Sequence, residues 1–96
     1  MIESQVNDIV SDRVAAGDLR AQIRAFITTN FYVADVASLR DNASLLDTGV
    51  IDSTGVLEVI AFVERDFGVQ VADAEIVPEN LDSIERLTAF VQRKRG

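Results

Sequence analysis

The sequence predicts an all-α fold, a bundle of three main helices and one short helix, and three observations support that prediction. Apolar residues recur at helical spacing in three long segments of the 96-residue chain. The only alternation typical of a strand, Val69 and Val71, has no second alternating segment with which to pair. The length allows one hydrophobic core, so we expect a single domain.

The first helix is predicted to begin at Asp18, a favourable N-cap, and to end near Phe31. Its core-facing positions have the spacing i, i+4, i+7, i+8 and i+12 and are Leu19, Ile23, Phe26, Ile27 and Phe31. Before this helix, Ala15-Ala16-Gly17 interrupts a weakly periodic segment. We therefore expect an N-terminal extension of undetermined order over residues 1–17 and a folded domain over residues 18–96.

A loop of about twenty residues is predicted between the first two helices, because no period persists from Tyr32 to Asp52. Leu45 and Leu46 are the apolar residues expected to anchor it. Unstructured loops of this length are uncommon in compact domains and tend to be functional. The loop and the helix that follows it are therefore the first place to look for a site.

The second helix is predicted to run from Ser53 to Phe67 and to end at Gly68, a favoured C-terminal residue. Its buried stripe lies in an arc about 100° wide and consists of Val56, Val59, Ile60, Val63 and Phe67. Gly55 is unusual in the first turn, because glycine costs up to ~1 kcal/mol relative to alanine inside a helix.

Two further helical segments are predicted towards the C-terminal end. One short turn is expected from Asp73 to Val77, because the residue before Pro78 is disfavoured in helical geometry. The last helix is expected to start at Asp82, since Asp82 and Glu85 have capping-box spacing. Its core positions are Ile84, Leu87, Thr88 and Val91.

Composition excludes several classes of chemistry. The chain has no Cys and no His, which excludes disulfides, thiolate nucleophiles, imidazole bases and Cys/His zinc sites, so no metal site is expected. The formal charge of −7 argues against nucleic-acid binding, which requires a basic face. No apolar run approaches the ~18 residues of a membrane span, and the start Met-Ile-Glu-Ser is unlike a signal peptide. We therefore expect a cytoplasmic protein that binds neither nucleic acid nor membrane.

The acidic excess is concentrated between Asp35 and Glu85, where twelve acidic residues and two basic ones, Arg40 and Arg65, leave −10. Such a field attracts basic partners and speeds their arrival. Alternatively, an acidic surface only keeps the protein in solution. Charge alone does not choose between these two interpretations.

The outer face of the second helix is the candidate partner surface. Leu57 and Ala61 follow Ser53 at i+4 and i+8 on a stripe beside the buried one, with Glu58 and Glu64 nearby. An exposed leucine flanked by acids is suited to docking, with the leucine as anchor and the acids steering the partner. Leu57 could instead lie at the edge of the core under the long loop, and periodicity leaves both interpretations open.

Asp52-Ser53 has a structural interpretation of its own, because Asp and Ser are among the best N-caps and an apolar helix follows. A serine hydrolase is excluded, since no histidine exists to accept the proton of Ser53. The dipeptide alone therefore indicates a helix start and nothing further.

A longer pattern around this dipeptide resembles the acyl carrier and peptidyl carrier proteins. It consists of LLDTGVIDS, which ends at Ser53, followed by TGVLEVIAFVERDFGVQV, which ends at Val71. The most specific part is the spacing of Leu46, Gly49, Asp52 and Ser53, joined to Phe67-Gly68-Val69. The likeness covers roughly residues 19 to 92 and is closest to the free-standing carriers of bacterial secondary pathways.

The resemblance implies an acyl-carrier-like four-helix bundle in which residues 18–96 form the carrier domain. It implies that Ser53 carries a 4′-phosphopantetheine arm, whose thiol holds acyl or aminoacyl groups as thioesters and presents them to partner enzymes. The implied partners are a phosphopantetheinyl transferase, an acyl or aminoacyl ligase, and downstream transferases or synthases. The protein itself is then a monomeric carrier and not an enzyme.

The partner surface that this interpretation indicates consists of Asp52, Thr54, Leu57, Glu58, Ala61 and Glu64. Thr54 departs from the pattern, because fatty-acid carriers usually have leucine after the serine, and Arg65 interrupts an otherwise acidic face. These departures bear on the choice of partners. The alternative from another class is an acidic helical interaction module that keeps the fold and is never modified.

Overall fold

A computed structural model describes residues 16–95, and the prediction of an all-α fold is confirmed for this part of the chain. Its elements in chain order are α1 (Ala16–Asn30), a 3-10 turn (Val36–Ser38), α2 (Ser53–Phe67), a second 3-10 turn (Asp73–Glu75), α3 (Pro78–Leu81) and α4 (Ile84–Arg95). Over the same residues there is no β-strand, and no helix is long and apolar enough to cross a membrane. The extension predicted over residues 1–17 lies outside the described residues, except that Ala16 and Gly17 belong to α1.

The core lies where α1, α2 and α3 pack against α4. The buried stripe predicted on α4 is confirmed. Phe90 is buried as well, although the apolar spacing did not predict it. Thr88 is buried, and its hydroxyl is hydrogen-bonded there, since Oγ1 donates to the carbonyl of Ile84 at 2.8 Å. On α1 the buried residues are Leu19, Ile23 and Ile27. Each such side chain contributes about 1.5–3 kcal/mol when fully buried.

The second helix has the predicted bounds. Gly68 is its C-cap with φ of 68°, a left-handed conformation that favours glycine, and its N–H donates to the carbonyl of Glu64. Within the predicted stripe Val59 and Val63 are buried, while the other three residues are half-buried against the core. Phe62 is also buried, because its ring stacks on that of Phe26 with centroids 4.0 Å apart.

Two predicted helix starts are wrong. Asp18 is not the N-cap of the first helix, since it lies in the first turn of α1, where its carboxylate still complements the helix dipole. Asp82 is not the N-cap of α4. That position belongs to Ser83, whose Oγ accepts the backbone N–H of Arg86 at 3.0 Å. Asp82 instead ends α3, its N–H donating to the carbonyl of Pro78 at 3.0 Å.

The short helix α3 was not predicted. The expected turn from Asp73 to Val77 forms over Asp73–Glu75, and a further helical turn then begins at Pro78. Proline is compatible with the first helical position, because the N–H that it lacks would have no acceptor there. Pro78 therefore starts a helix instead of only ending the preceding turn.

The long loop between α1 and α2 is anchored by three buried side chains, Leu39, Leu45 and Ile51, whereas Leu46 is exposed. Its backbone is also hydrogen-bonded to Asp82, which precedes α4, and to Glu85 in the first turn of α4. The N–H of Leu45 donates to the carbonyl of Asp82 at 2.8 Å, and the N–H of Glu85 donates to the carbonyl of Asp41 at 2.8 Å. These contacts hold the loop against the bundle and define its approach to α2.

Candidate functional site

Ser53 is the first residue of α2, and its side chain is exposed. The N-cap is Asp52, whose Oδ1 accepts the backbone N–H of Gly55 at 2.7 Å. Within residues 16–95 the hydroxyl of Ser53 has no hydrogen-bond partner. The capping interpretation of the dipeptide therefore holds for Asp52 and not for Ser53, which leaves the serine hydroxyl accessible from solvent.

Gly55 allows the start of α2 to pack closely on the end of α1. A Cβ at this position would lie 2.8 Å from Cε1 of Phe31 and 3.0 Å from Cγ2 of Ile51. Both distances are shorter than ordinary van der Waals contact, so a larger residue would displace the ring or the loop. The glycine that is unfavourable for helix propensity is thus explained by the packing beneath Ser53.

An apolar cleft of about 330 Å³ borders Ser53. We call it the serine cleft. The long loop provides Leu46 and Ile51 on one side, and α2 provides Val56 and Leu57 on another. The remaining walls come from the connection to α3 and from α3 itself, and these residues are Ile76, Val77, Pro78, Leu81 and Asp82, with Leu45 at the base. Two stretches of the chain that are far apart in sequence, residues 45–57 and residues 76–82, thus line an apolar space beside the Ser53 hydroxyl.

Asp82 fixes the loop wall of the serine cleft. Its Oδ2 accepts the hydroxyl of Ser44 at 2.6 Å, and its Oδ1 accepts the N–H of Leu46 at 2.9 Å. The Ser44 hydroxyl oxygen in turn accepts the N–H of Asp47 at 3.0 Å. Sequence reasoning missed this role, because the spacing of Asp82 and Glu85 also fits a capping box and nothing local links Asp82 to the loop.

The turn that leads to α3 is held by Glu75. Its Oε1 accepts the N–H of Ala72 at 2.9 Å, and its carboxylate pairs with Nζ of Lys94 at the end of α4. Two contacts hold the pKa of the Glu75 carboxyl below its ordinary value. The hydrogen bond from the N–H of Ala72 has the larger effect, and the contact with the ammonium of Lys94 comes second. Ile76 and Val77, which follow directly, are thereby positioned in the wall of the serine cleft.

The predicted partner surface is exposed. Leu57 keeps 64% of its surface accessible. The alternative interpretation, in which Leu57 lies at the edge of the core, is therefore wrong. The other predicted positions, Asp52, Thr54, Glu58, Ala61 and Glu64, are exposed as well. Glu64 also has a structural role, because its Oε2 accepts the N–H of Val71 at 2.9 Å after the end of α2. The structure therefore gathers an exposed hydroxyl, an exposed leucine and acidic side chains along one helix.

Backbone groups at the start of α2 remain available to an anion. The first N–H groups of a helix have no intrahelical acceptor, and Asp52 satisfies that of Gly55. The N–H groups of Ser53 and Thr54 have no acceptor among the described residues. Over residues 16–95 no group of three or more acidic side chains is arranged to hold a metal ion.

No protein-family model and no curated protein sequence matches this chain. The function is therefore argued from the geometry of the site.

Proposed function

We propose that this protein is a carrier whose 4′-phosphopantetheine arm is attached to the hydroxyl oxygen of Ser53. The bundle then has an acyl-carrier-like fold, with the long loop before the helix that carries the arm. The arm supplies a thiol on which acyl or aminoacyl groups are held as thioesters. The observation that supports the proposal most directly is an exposed serine hydroxyl, unpaired among residues 16–95, at the start of a 15-residue helix.

The start of α2 suits a phosphodiester. An anion is favoured at a helix N-terminus by the unpaired N–H groups and by the helix dipole, and Ser53 and Thr54 both offer such groups. Asp52 opposes the added charge by like-charge repulsion, but its carboxylate is engaged by Gly55. The role of Asp52 is therefore to cap α2 and to contact the enzyme that installs the arm.

The serine cleft supports a cargo with an apolar chain. Its volume of about 330 Å³ lies near the lower end of the ~300–1,000 Å³ typical of small-molecule sites. Apolar atoms gain about 25 cal/mol for each Å² of surface removed from water, whereas a charged aminoacyl group would be desolvated there without compensation. We therefore favour an acyl group over a charged aminoacyl group as the cargo.

The exposed face of α2 is the proposed surface for the partner enzymes: a phosphopantetheinyl transferase, an acyl ligase and downstream transferases or synthases. Leu57 supplies an apolar contact beside Ser53, and Glu58 adds negative charge for a basic partner. The affinity should fall as salt rises, because exposed charges are screened over about 10 Å at 0.1 M ionic strength.

The test is coexpression with a broad-specificity phosphopantetheinyl transferase, followed by intact mass spectrometry. The wild-type protein should gain the mass of one phosphopantetheine group, and Ser53→Ala should gain none. Thr29→Ala is the matched control, since it removes an exposed hydroxyl on α1, outside the predicted partner surface, and should still be modified. Added mass on Ser53→Ala would place the attachment elsewhere and contradict the assignment.

A folded wild-type protein that stays unmodified in this experiment would favour the interaction module instead. Circular dichroism of the same sample shows whether the helices are intact, so a failure to fold is distinguished from a failure to be modified. Under that outcome the exposed leucine and acids of α2 would remain the docking face, without a prosthetic group.

A further inference from the structure

A second cleft lies between α1 and the long loop, and arginine side chains surround it. Its volume is about 880 Å³, and Arg20, Arg24 and Arg40 lie in its wall together with Asp41. We call it the arginine cleft. It shares no lining residue with the serine cleft, so it is a separate feature of the surface.

Part of the cleft is fixed by hydrogen bonds. Arg20 and Arg24 lie one turn apart on α1, and each donates a guanidinium N–H to Asp41, at 3.3 Å and 3.2 Å. Arg24 also donates to the carbonyl of Val36 at 2.7 Å, which ties the first 3-10 turn to α1. Arg40 is exposed and forms no ion pair within the part of the chain that the structure describes. Guanidinium groups are thus held around an open space.

The net charge around the arginine cleft is positive, whereas the net charge of the whole molecule is negative. The three arginines and one aspartate in the wall of the cleft sum to about +2, and the carboxylate of Asp35, which accepts the hydroxyl of the lining residue Ser38, reduces the local charge to about +1. The chain as a whole carries −7. A basic cleft within an acidic protein attracts negative charge, whereas the acidic remainder of the surface repels it.

The loop next to the cleft also exposes apolar side chains. Val36 is 45% exposed, and Tyr32, which follows α1, is 85% exposed. Arginine and tyrosine are enriched among the residues that contribute most to protein interfaces. This composition is typical of a protein-binding surface.

We propose that the arginine cleft is a docking surface for an acidic segment of a partner protein. Guanidinium groups match carboxylates with paired N–H donors, and two of them already contact a carboxylate in this cleft, that of Asp41. A volume of about 880 Å³ is near the upper end of the ~300–1,000 Å³ range of ligand sites and suits a peptide segment better than one small anion. This proposal is independent of any modification at Ser53.

The experiment is a titration of ¹⁵N-labelled full-length protein with a hexaglutamate peptide, followed by amide chemical shifts. The shifts should be largest at Arg20, Arg24 and residues 36–41, and they should decrease as salt is raised. Arg40→Gln should raise Kd by up to about fivefold, the upper limit for an exposed ion pair. Arg86→Gln is the matched control, because Arg86 is exposed on α4 and outside the cleft, and it should leave Kd nearly unchanged.

Three outcomes would overturn the proposal. One is a result without specificity for the cleft, seen either as no shifts at these residues or as equal effects of Arg40→Gln and Arg86→Gln. Another is that inorganic phosphate produces the same shifts at the same concentration, which would indicate a site for small anions. The third is that the same amides shift when the protein alone is concentrated, which would indicate that a second copy occupies the cleft.

Discussion

Asp82→Ala is expected to lower the free energy of unfolding substantially, because one half-buried carboxylate holds the loop wall of the serine cleft. The substitution removes the acceptor of the Ser44 hydroxyl, at 2.6 Å, and of the Leu46 N–H, at 2.9 Å. Hydrogen bonds to charged groups contribute about 1.5–3 kcal/mol each. Water replaces part of this loss, since the site lies near the surface, so we expect a net decrease of about 2–3 kcal/mol.

The measurement is urea unfolding followed by far-UV circular dichroism, with linear extrapolation to water. Glu79→Ala is the control, because Glu79 is an exposed acid on the neighbouring α3 and its side chain makes no hydrogen bond in the described residues. It removes the same charge and should change stability by less than about 0.5 kcal/mol. Hydrogen exchange at the Leu46 amide should accelerate in Asp82→Ala, since that N–H loses its acceptor.

A double-mutant cycle with Ser44→Ala tests whether the loss arises from the loop contact. The two substitutions should couple by about 1 kcal/mol or more, because they remove partners of one hydrogen bond. Additive effects, or a loss in Asp82→Ala no larger than that in Glu79→Ala, would refute the role assigned to Asp82.

Three further substitutions have expected outcomes of different kinds. Gly55→Ala should destabilise by about 1 kcal/mol in urea unfolding, since overpacking against Phe31 costs about 1–3 kcal/mol and helix propensity returns up to ~1 kcal/mol; net stabilisation would contradict the close contact. Asp52→Ala should cost about 1 kcal/mol and Ser53→Ala less than about 0.5 kcal/mol, because only the aspartate caps α2; equal losses would restore a capping role to the serine. Glu75→Gln should destabilise most at neutral pH: the folded pKa of Glu75 is lowered, so its stabilisation is complete above the unfolded-state pKa and is lost as pH falls through the folded value. The difference in unfolding free energy between the wild-type protein and Glu75→Gln should shrink from about pH 7 to pH 3. A difference that does not change with pH would contradict the ion pair.

The sequence alone determined the elements whose signals are local. The bounds of α2 follow from Asp52 and Ser53 at its start and Gly68 at its end, and the structure has the same bounds. The buried stripes of α1 and α4 follow from apolar spacing, because a regular helix turns about 100° per residue whatever it packs against. The position of Ser53 at the start of a helix was likewise readable from neighbouring residues.

Only the tertiary structure decided which of two compatible local roles each site residue has. Asp82 fits a capping box, yet its carboxylate bonds a loop segment 36 and 38 residues away. Gly55 is poor for a helix on its own, and the reason for it is a ring 24 residues earlier, that of Phe31. The serine cleft exists only because residues 76–82 pack beside residues 45–57, the stretch that contains Ser53. Local propensities differ by about 1 kcal/mol, and contacts between distant segments contribute as much or more, so the tertiary contacts prevail where the two disagree.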